Sequence, residues 1–312
     1  MKVLFVSSGN SEDGISPIVK NQGESLRQNG VDLHYFTIKG KGLKGYLRNI
    51  KYLKKTIRNI QPDVVHAHYS LTAITASLAG AKPLVVSLMG SDSKSSFQIR
   101  ILIKFFNKLI WTRLIVKSED MRKSIGIKNA EILPNGVDIE MFHEREKKKC
   151  QEKLGWDDSI KHILFAASPS RIVKNFKLAQ QTFELIKSDG IELHSLSNIP
   201  HSEMPLWMNA ADIVLLTSLW EGSPNVIKEA MACNRPIVST NVGDVKWLFG
   251  NLPGHYLTSF DSSDIADKIE QALTFSQDHN HTTGRRRIIE LRLDADSVSK
   301  QLVSLYNEIL YV

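Results

Sequence analysis

Cysteine is scarce in this chain. Its 312 residues include two, Cys150 and Cys233, far apart and in no metal-ligand spacing, as fits a protein of the reducing cytoplasm. Long apolar runs are missing as well: no stretch approaches the roughly 18–20 apolar residues of a membrane span. The opening MKVLFVSSGN resembles a secretory leader only superficially. Its apolar run of about five residues falls short of the roughly 7–15 that such a leader needs, and it reads better as a first strand. Several catalytic signatures are also absent. No G-x-G-x-x-G follows the first strand, so the nicotinamide and flavin fingerprint is missing, and no G-x-x-x-x-G-K-[ST] occurs, which excludes a P-loop. There is no G-x-S-x-G hydrolase elbow, and nothing in the chain is low-complexity.

What is present reads as globular: 42% hydrophobic and 23% charged residues, in a length that suits two domains. The formal net charge of +7 favours an anionic partner, whether nucleotide phosphates, an anionic membrane surface or nucleic acid. Short apolar runs alternate with longer amphipathic ones. Strands are expected at 3–7, 31–36, 63–67, 84–88, 113–117 and 130–133, with helices between. A charged, helix-prone stretch, EREKKKCQEKLGWDDS, leads into a second half. There the alternation restarts, with strands at 162–168, 191–196, 212–217 and 236–240. Alternation of this kind implies an α/β fold with doubly wound parallel sheets, one Rossmann-like domain in each half, and a cleft between them. The expected division is 1–155 and 156–295, with a closing helix over 296–312 that packs back on the first domain. Chemistry in such sheets gathers in the loops at the carboxyl ends of strands.

Two stretches of the first half are basic and amphipathic. KGLKGYLRNIKYLKKTIRNI places Leu43, Leu47, Ile50, Leu53 and Ile57 on one helical face, with Lys44, Lys51, Lys55 and Arg58 largely elsewhere. FQIRILIKFFNKLIWTR repeats the theme with Arg100, Lys104, Lys108 and Arg113. Such helices suit either a core-facing stripe with a solvated basic face or a place on an anionic membrane.

The most informative segment is WEGSPNVIKEAMACNRPIVSTNVGD, Trp220 to Asp244. Ser223 suits an N-cap and Pro224 the first helical position, with Asn234 as a left-handed terminator before Pro236. Glu221 then lies just before the helix and Glu229 about five residues into it, roughly 7–8 Å along the axis. Between the two acids lie the open amides of a helix N-terminus, which attract phosphate. The segment therefore suits a nucleotide-sugar: amides on the diphosphate, one carboxylate on the ribose hydroxyls, the other on the sugar. A surface helix with two solvated glutamates would show the same spacing. In SPSRIVKNF, Arg171 and Lys174 fall in a loop after a strand, where two cations suit a diphosphate. His66 and His68 flank Ala67 at a strand end without a third metal ligand in view, and read as core or cleft histidines.

Taken together, these motifs resemble glycosyltransferase family 4, whose members have the two-domain GT-B fold. The resemblance runs over nearly the whole chain. It rests on Asp13-Gly14 after the first strand, QGESLRQNGVDLHYF, PDVVHAHYS, LMGSD, LPNGVDIEMF, SPSRIVKNF and above all EGSPNVIKEAMACNRPIVST. It implies a retaining transfer from a nucleoside-diphosphate sugar to a saccharide or lipid-linked acceptor, in polysaccharide or glycolipid assembly. It further implies no cofactor and no metal, since Arg171 and Lys174 would stabilise the leaving diphosphate. Glu229 would accept the ribose hydroxyls and Glu221 the sugar hydroxyls. The backbone at Ser223, Asn225 and Val226 would cradle phosphate, and Gly14 would let its loop approach the donor. His68 and Asp92 are candidates for the acceptor side, with Asp92 alternatively orienting its own loop. The implied location is cytoplasmic, with a peripheral membrane place as an extension. The chain departs from the family's pattern in two loops: Met89 stands where relatives carry histidine, and Asp13 where they carry glycine. The connection after the 191–196 strand is also short. A GT-B epimerase or hydrolase, or a non-catalytic nucleotide-sugar binder, would share the donor grip. Nucleic-acid binding lacks aromatic interleaving or a recognised motif.

Overall fold

The computed structural model describes residues 1–10, 14–94, 96–186, 190–197 and 199–311. Two compact units divide the chain: Met1–Gly136 with Ala295–Val312, and Val137–Asp294.

In the first unit, the described residues form a six-stranded sheet. Its strands are β1 (Lys2–Ser8), β2 (Asp32–Ile38), β3 (Val64–His68), β4 (Leu84–Ser87), β5 (Arg113–Val116) and β6 (Glu131–Ile132). All neighbours pair in parallel, in the order β2-β1-β3-β4-β5-β6. The helices are α1 (Pro17–Gln28), α2 (Gly42–Leu47), α3 (Ile50–Ile60), α4 (Ser70–Leu78), α5 (Phe97–Leu109) and α6 (Glu119–Ile125). Successive residues of a strand face opposite sides, so β1 feeds two cores. Leu4 and Val6 join one with Leu53, Ile103 and Phe106; Val3 and Phe5 join the other with Val19 and Leu26.

The second unit holds a five-stranded parallel sheet in the order β11-β10-β9-β7-β8. Its elements are α7 (Lys147–Leu154), β7 (Lys161–Phe165), α8 (Phe176–Ile186), β8 (Ile191–Ser195), α9 (Met204–Ala210), β9 (Ile213–Leu216), α10 (Asn225–Ala232), β10 (Ile237–Thr240), α11 (Val245–Phe249), β11 (His255–Thr258), α12 (Ser262–His279) and α13 (Gly284–Glu290). The final helix, α14 (Ala295–Leu310), packs against α1 and buries Val298, Leu302, Leu305 and Tyr306 in the second core of the first unit.

The structure moves the expected domain boundary from 155 to 136. The charged stretch lies wholly in the second unit. It folds as α7, buries Cys150 and Gln151, and packs on α9 of the second unit. Strand β11 was not anticipated: it is a four-residue edge strand whose first three residues are only half-buried, so it carries little apolar signal. The first basic stretch breaks into α2 and α3 at Arg48–Asn49. Leu53 is fully buried and Ile50 and Ile57 pack beside it, which is the core-facing arrangement, whereas Leu43 is exposed.

Candidate functional site

The order of the second sheet decides where its chemistry can gather. β7 and β9 are neighbours, and the connection leaving β7 runs to β8 on one side while that leaving β9 runs to β10 on the other, so the switch point lies between β7 and β9. The loops that follow these two strands carry Lys174 and Glu221. They are tied together by backbone: the Leu219 amide donates to the Val173 carbonyl at 2.9 Å. The Thr217 hydroxyl lies 3.1 Å from the Lys174 carbonyl and 3.0 Å from that of Asn175. Asn175 takes a left-handed φ of 53° and closes the short turn Ile172–Lys174. That turn aims the Lys174 ammonium at Glu221, whose Oε1 accepts from it at 2.5 Å and from the Ser218 hydroxyl at 2.8 Å. Lys174 is largely buried, and Arg171, at the start of the same turn, is exposed.

Glu221 and Gly222 rest on Gly243. A Cβ at that position would lie 2.6 Å from the Gly222 carbonyl oxygen and 3.2 Å from that of Glu221, and the residue has a φ of +59°. Only glycine allows both the close approach and the left-handed backbone without strain.

Helix α10 begins one residue later than expected. Pro224, not Ser223, occupies the cap position and offers no side-chain cap. Ser223 instead accepts a hydrogen bond from Lys228 Nζ at 3.1 Å. Lys228 is fully buried, and a buried ammonium requires hydrogen-bond acceptors. Burial lowers its pKa to about 8, against the opposing pull of Asp244 and Glu229. The consequence for the site is that, among the described residues, no side chain caps the start of α10: the Ile227 amide bonds the Pro224 carbonyl at 3.2 Å, and the amides of Asn225 and Val226 precede the first acceptor of the helix. Asn225 Oδ1 is buried there without a hydrogen-bond partner among the described residues, and Val226 turns into the core.

Glu229 is almost entirely buried and accepts from His201 Nε2 at 2.9 Å. His201 lies in the short connection before α9, and nothing in its sequence surroundings marks it. Burial disfavours its charged form, but the hydrogen bond and charge of Glu229, with Asp138 adding, outweigh that and raise its pKa above the ordinary 6.5. A raised histidine pKa stabilises the fold fully below the unfolded value and ceases to do so as pH climbs through the folded one. The melting-point deficit of His201→Gln should therefore be widest at about pH 6 and shrink by about pH 9. A deficit that does not vary with pH would show that the pair is not ionic.

The candidates of the first unit stand apart in character. Gly14 has a φ of +77°, and a Cβ there would meet open space, so backbone conformation alone calls for glycine. Asp13 lies outside the described residues. His68 is buried, stacks on His66 at 4.4 Å and has its pKa pushed down to about 3 by burial, with Lys117 adding. Its Nε2 has no hydrogen-bond partner among the described residues. His66 is a core residue, held by the Tyr306 hydroxyl of α14 at 2.5 Å and the Ser87 hydroxyl at 2.8 Å. Of its two readings, Asp92 fits the loop-orienting one. It is wholly buried and both its oxygens are occupied by backbone amides, of Ser70 at 3.1 Å and Met89 at 2.7 Å. Its role is to fix the Met89 loop against the start of α4.

Comparison with known proteins agrees with this architecture. Residues 162–274 match the family described as "Glycosyl transferases group 1", and residues 15–116 the one described as "Glycosyl transferase 4-like". The chain is 26% identical over 226 residues to the putative teichuronic acid biosynthesis glycosyltransferase TuaC of Bacillus subtilis, covering 62% of this chain and 57% of that protein. It is 28% identical over 253 residues to the UDP-Gal:α-D-GlcNAc-diphosphoundecaprenol α-1,3-galactosyltransferase of Escherichia coli, covering 66% and 64%. The chain thus spans less than two thirds of the length of these two relatives. Among solved structures, sucrose-phosphate synthase from Thermosynechococcus elongatus superposes with a TM-score of 0.81 at 14% identity, over 99% of each chain. HepE from Anabaena, in complex with UDP and glucose, gives 0.74 at 18%, over 99% of this chain and all of that one. With one glycosyltransferase family model matching each unit, and glycosyltransferases among the relatives, the chain belongs to glycosyltransferase family 4.

Proposed function

We propose that this protein moves a sugar from a nucleoside-diphosphate sugar to an acceptor hydroxyl with retention of anomeric configuration, and needs no metal to do so. The observation that carries this reading is the buried Lys174–Glu221 pair beside the uncapped start of α10. The ammonium and the open amides supply positive potential where a leaving diphosphate gathers charge, and act most strongly where water is excluded. Arg171, exposed beside the turn, adds a planar fork for the same oxygens. Glu221 is then positioned for hydroxyls of the sugar and Glu229 for the ribose. The leaving phosphate takes the proton of the acceptor hydroxyl on the face it vacates. The E. coli relative's named UDP-galactose donor and the UDP held by HepE support a nucleotide-sugar.

A thermal-shift screen of UDP, GDP, ADP and their sugar conjugates tests the donor class, since a ligand of the folded state raises the melting point by mass action. Incubation with donor alone separates transfer from hydrolysis or epimerisation. In such assays Glu229→Ala should raise the donor KM about tenfold or more with a smaller change in turnover, because ribose contacts are made equally in ground and transition states. An unchanged KM would remove Glu229 from the donor site.

The acceptor side is proposed to work at an anionic membrane. α5 exposes Phe97 (75%), Ile101 (50%), Phe105 (53%) and Leu109 (61%) along one ridge, while Ile103 and Phe106 face the core. At helical spacing Arg100, Lys104 and Lys108 form a row beside that ridge. Apolar residues flanked by cations suit insertion at a negatively charged lipid surface. No helix among the described residues is long and apolar enough to cross a membrane. Phe97→Ser with Phe105→Ser should cut sedimentation with phosphatidylglycerol vesicles severalfold, as should Lys51, Lys54 and Lys55 changed together to Gln. Binding unaffected by both sets would end the membrane reading.

A further inference from the structure

The start of β7 and the edge strand β8 bring together three side chains that the donor site does not use. The parallel register sets His162 beside Glu192, and His194 follows two residues later on the same face of β8. His162 Nδ1 lies 2.9 Å from His194 Nε2 and 3.6 Å from Glu192 Oε2, and His194 Nε2 lies 3.5 Å from that same oxygen. A point equidistant from the three atoms sits about 2 Å from each, the length of a zinc–imidazole or zinc–carboxylate bond. We propose that His162, Glu192 and His194 form a divalent-metal site of the zinc type, with its fourth position left to water.

The surroundings prepare these groups to act as ligands. His162 Nε2 donates to the Asp157 carbonyl at 2.8 Å, which leaves the lone pair of Nδ1 facing the cluster. A hydrogen bond of this kind is the usual device for fixing the tautomer of a ligating histidine. The His162 side chain is fully buried and Trp156 covers the pair, stacked on His194 at 3.7 Å with an interplanar angle of 12° and 4.7 Å from His162. In the metal-free pair the His194 Nε2–H donates to His162 Nδ1. With metal bound, the His194 proton resides on its own Nδ1 and Nε2 becomes a ligand, so neither ring has to lose a net proton. The Glu192 side chain is 54% exposed and has room to close the last tenths of an ångström.

Two imidazoles and a carboxylate favour zinc, cobalt or nickel over magnesium or calcium, which prefer all-oxygen sites. Among the described residues β8 is an edge strand that pairs with β7 alone, so the ion would clip it to the sheet. The cluster begins at the second residue of β7, at the opposite end of the strand from the loop that carries Arg171 and Lys174. The metal is therefore structural and separate from sugar transfer, and the proposal does not depend on the donor assignment.

The test uses the full chain without a polyhistidine tag, stripped with chelator. Zn2+ is titrated in competition with a chromophoric chelator, and Co2+ is followed by its visible absorption. One equivalent should bind, Co2+ should give the intense visible bands of four-coordination, and Zn2+ should raise the melting point. His194→Ala and Glu192→Ala, at positions less buried than His162, should weaken binding at least tenfold while metal-free melting stays near that of the parent. Equal affinity in parent and variants, no four-coordinate Co2+ spectrum, or a sulfur-to-cobalt charge-transfer band pointing to Cys150 or Cys233 would overturn the proposal.

Discussion

Lys174→Ala should lower turnover about 10²–10³-fold, or roughly 2.7–4 kcal/mol of transition-state stabilisation, while the donor KM changes far less. The expectation rests on when the charge is needed. In the resting protein the ammonium is satisfied by Glu221 at 2.5 Å. A bound donor already carries its diphosphate charge, but departure from the sugar adds negative charge to the leaving oxygen. A fixed cation gains most at that moment, because it is already oriented and water need not reorganise around it. Lys174→Arg should recover little, since the tight turn Ile172–Lys174 fixes where a point charge sits and a planar fork has a different reach. Stability provides the control. Lys174→Ala strips Glu221 of its cation but leaves the Ser218 hydroxyl, so the fold should lose about 1–3 kcal/mol and still assemble. Kinetics of the folded variant under saturating donor, with melting measured alongside, separate the two effects. Near-normal turnover would move the catalytic charge elsewhere.

Gly243→Ala should be nearly as damaging, by a different route. The left-handed backbone alone costs a non-glycine residue about 1–2 kcal/mol. The added Cβ would also press on the Gly222 carbonyl oxygen at 2.6 Å. That contact is backbone and cannot rotate away, so overpacking adds about 1–3 kcal/mol more. The segment that must yield carries Glu221, so activity should fall about tenfold or more beyond what lost stability explains, since small misplacements at a reacting centre are costly. Gly155→Ala is the matched control. Gly155 also has a positive φ, of +68°, but a Cβ there meets nothing within 4 Å. It should cost melting temperature without touching transfer. Equal activity losses in the two variants would show that strain alone, not displacement of the Glu221 loop, is responsible.

Much of this protein is legible in its sequence, and the residues show why. β1 reads as VLFVS because a central parallel strand is covered on both faces and must be apolar throughout. The Asn234 terminator is local backbone chemistry, and its φ of 55° is what the Asn-Arg-Pro context calls for. Lys174 and Glu221 could each be picked out because they lie in loops leaving strands, where open α/β sheets place their ligand groups.

Other features have no local signal. Ser223 reads as a cap from its neighbours, but buried Lys228, five residues on, claims its hydroxyl. Asp92 reads equally as an acid facing the acceptor or as one that orients its loop, and only the fold decides between them, by burying it against two backbone amides. His201 is an ordinary histidine in a short connection until Glu229 stands 2.9 Å away. His162, Glu192 and His194 mean nothing together until β7 and β8 pair in register. Sequence by itself determined most of the elements, their alternation and the charged loops, though not the edge strand β11, since periodicity, capping and chain stiffness act over a few residues. Tertiary structure alone decided which polar groups meet, because desolvation is set by whatever the fold packs against a side chain, however distant in the chain.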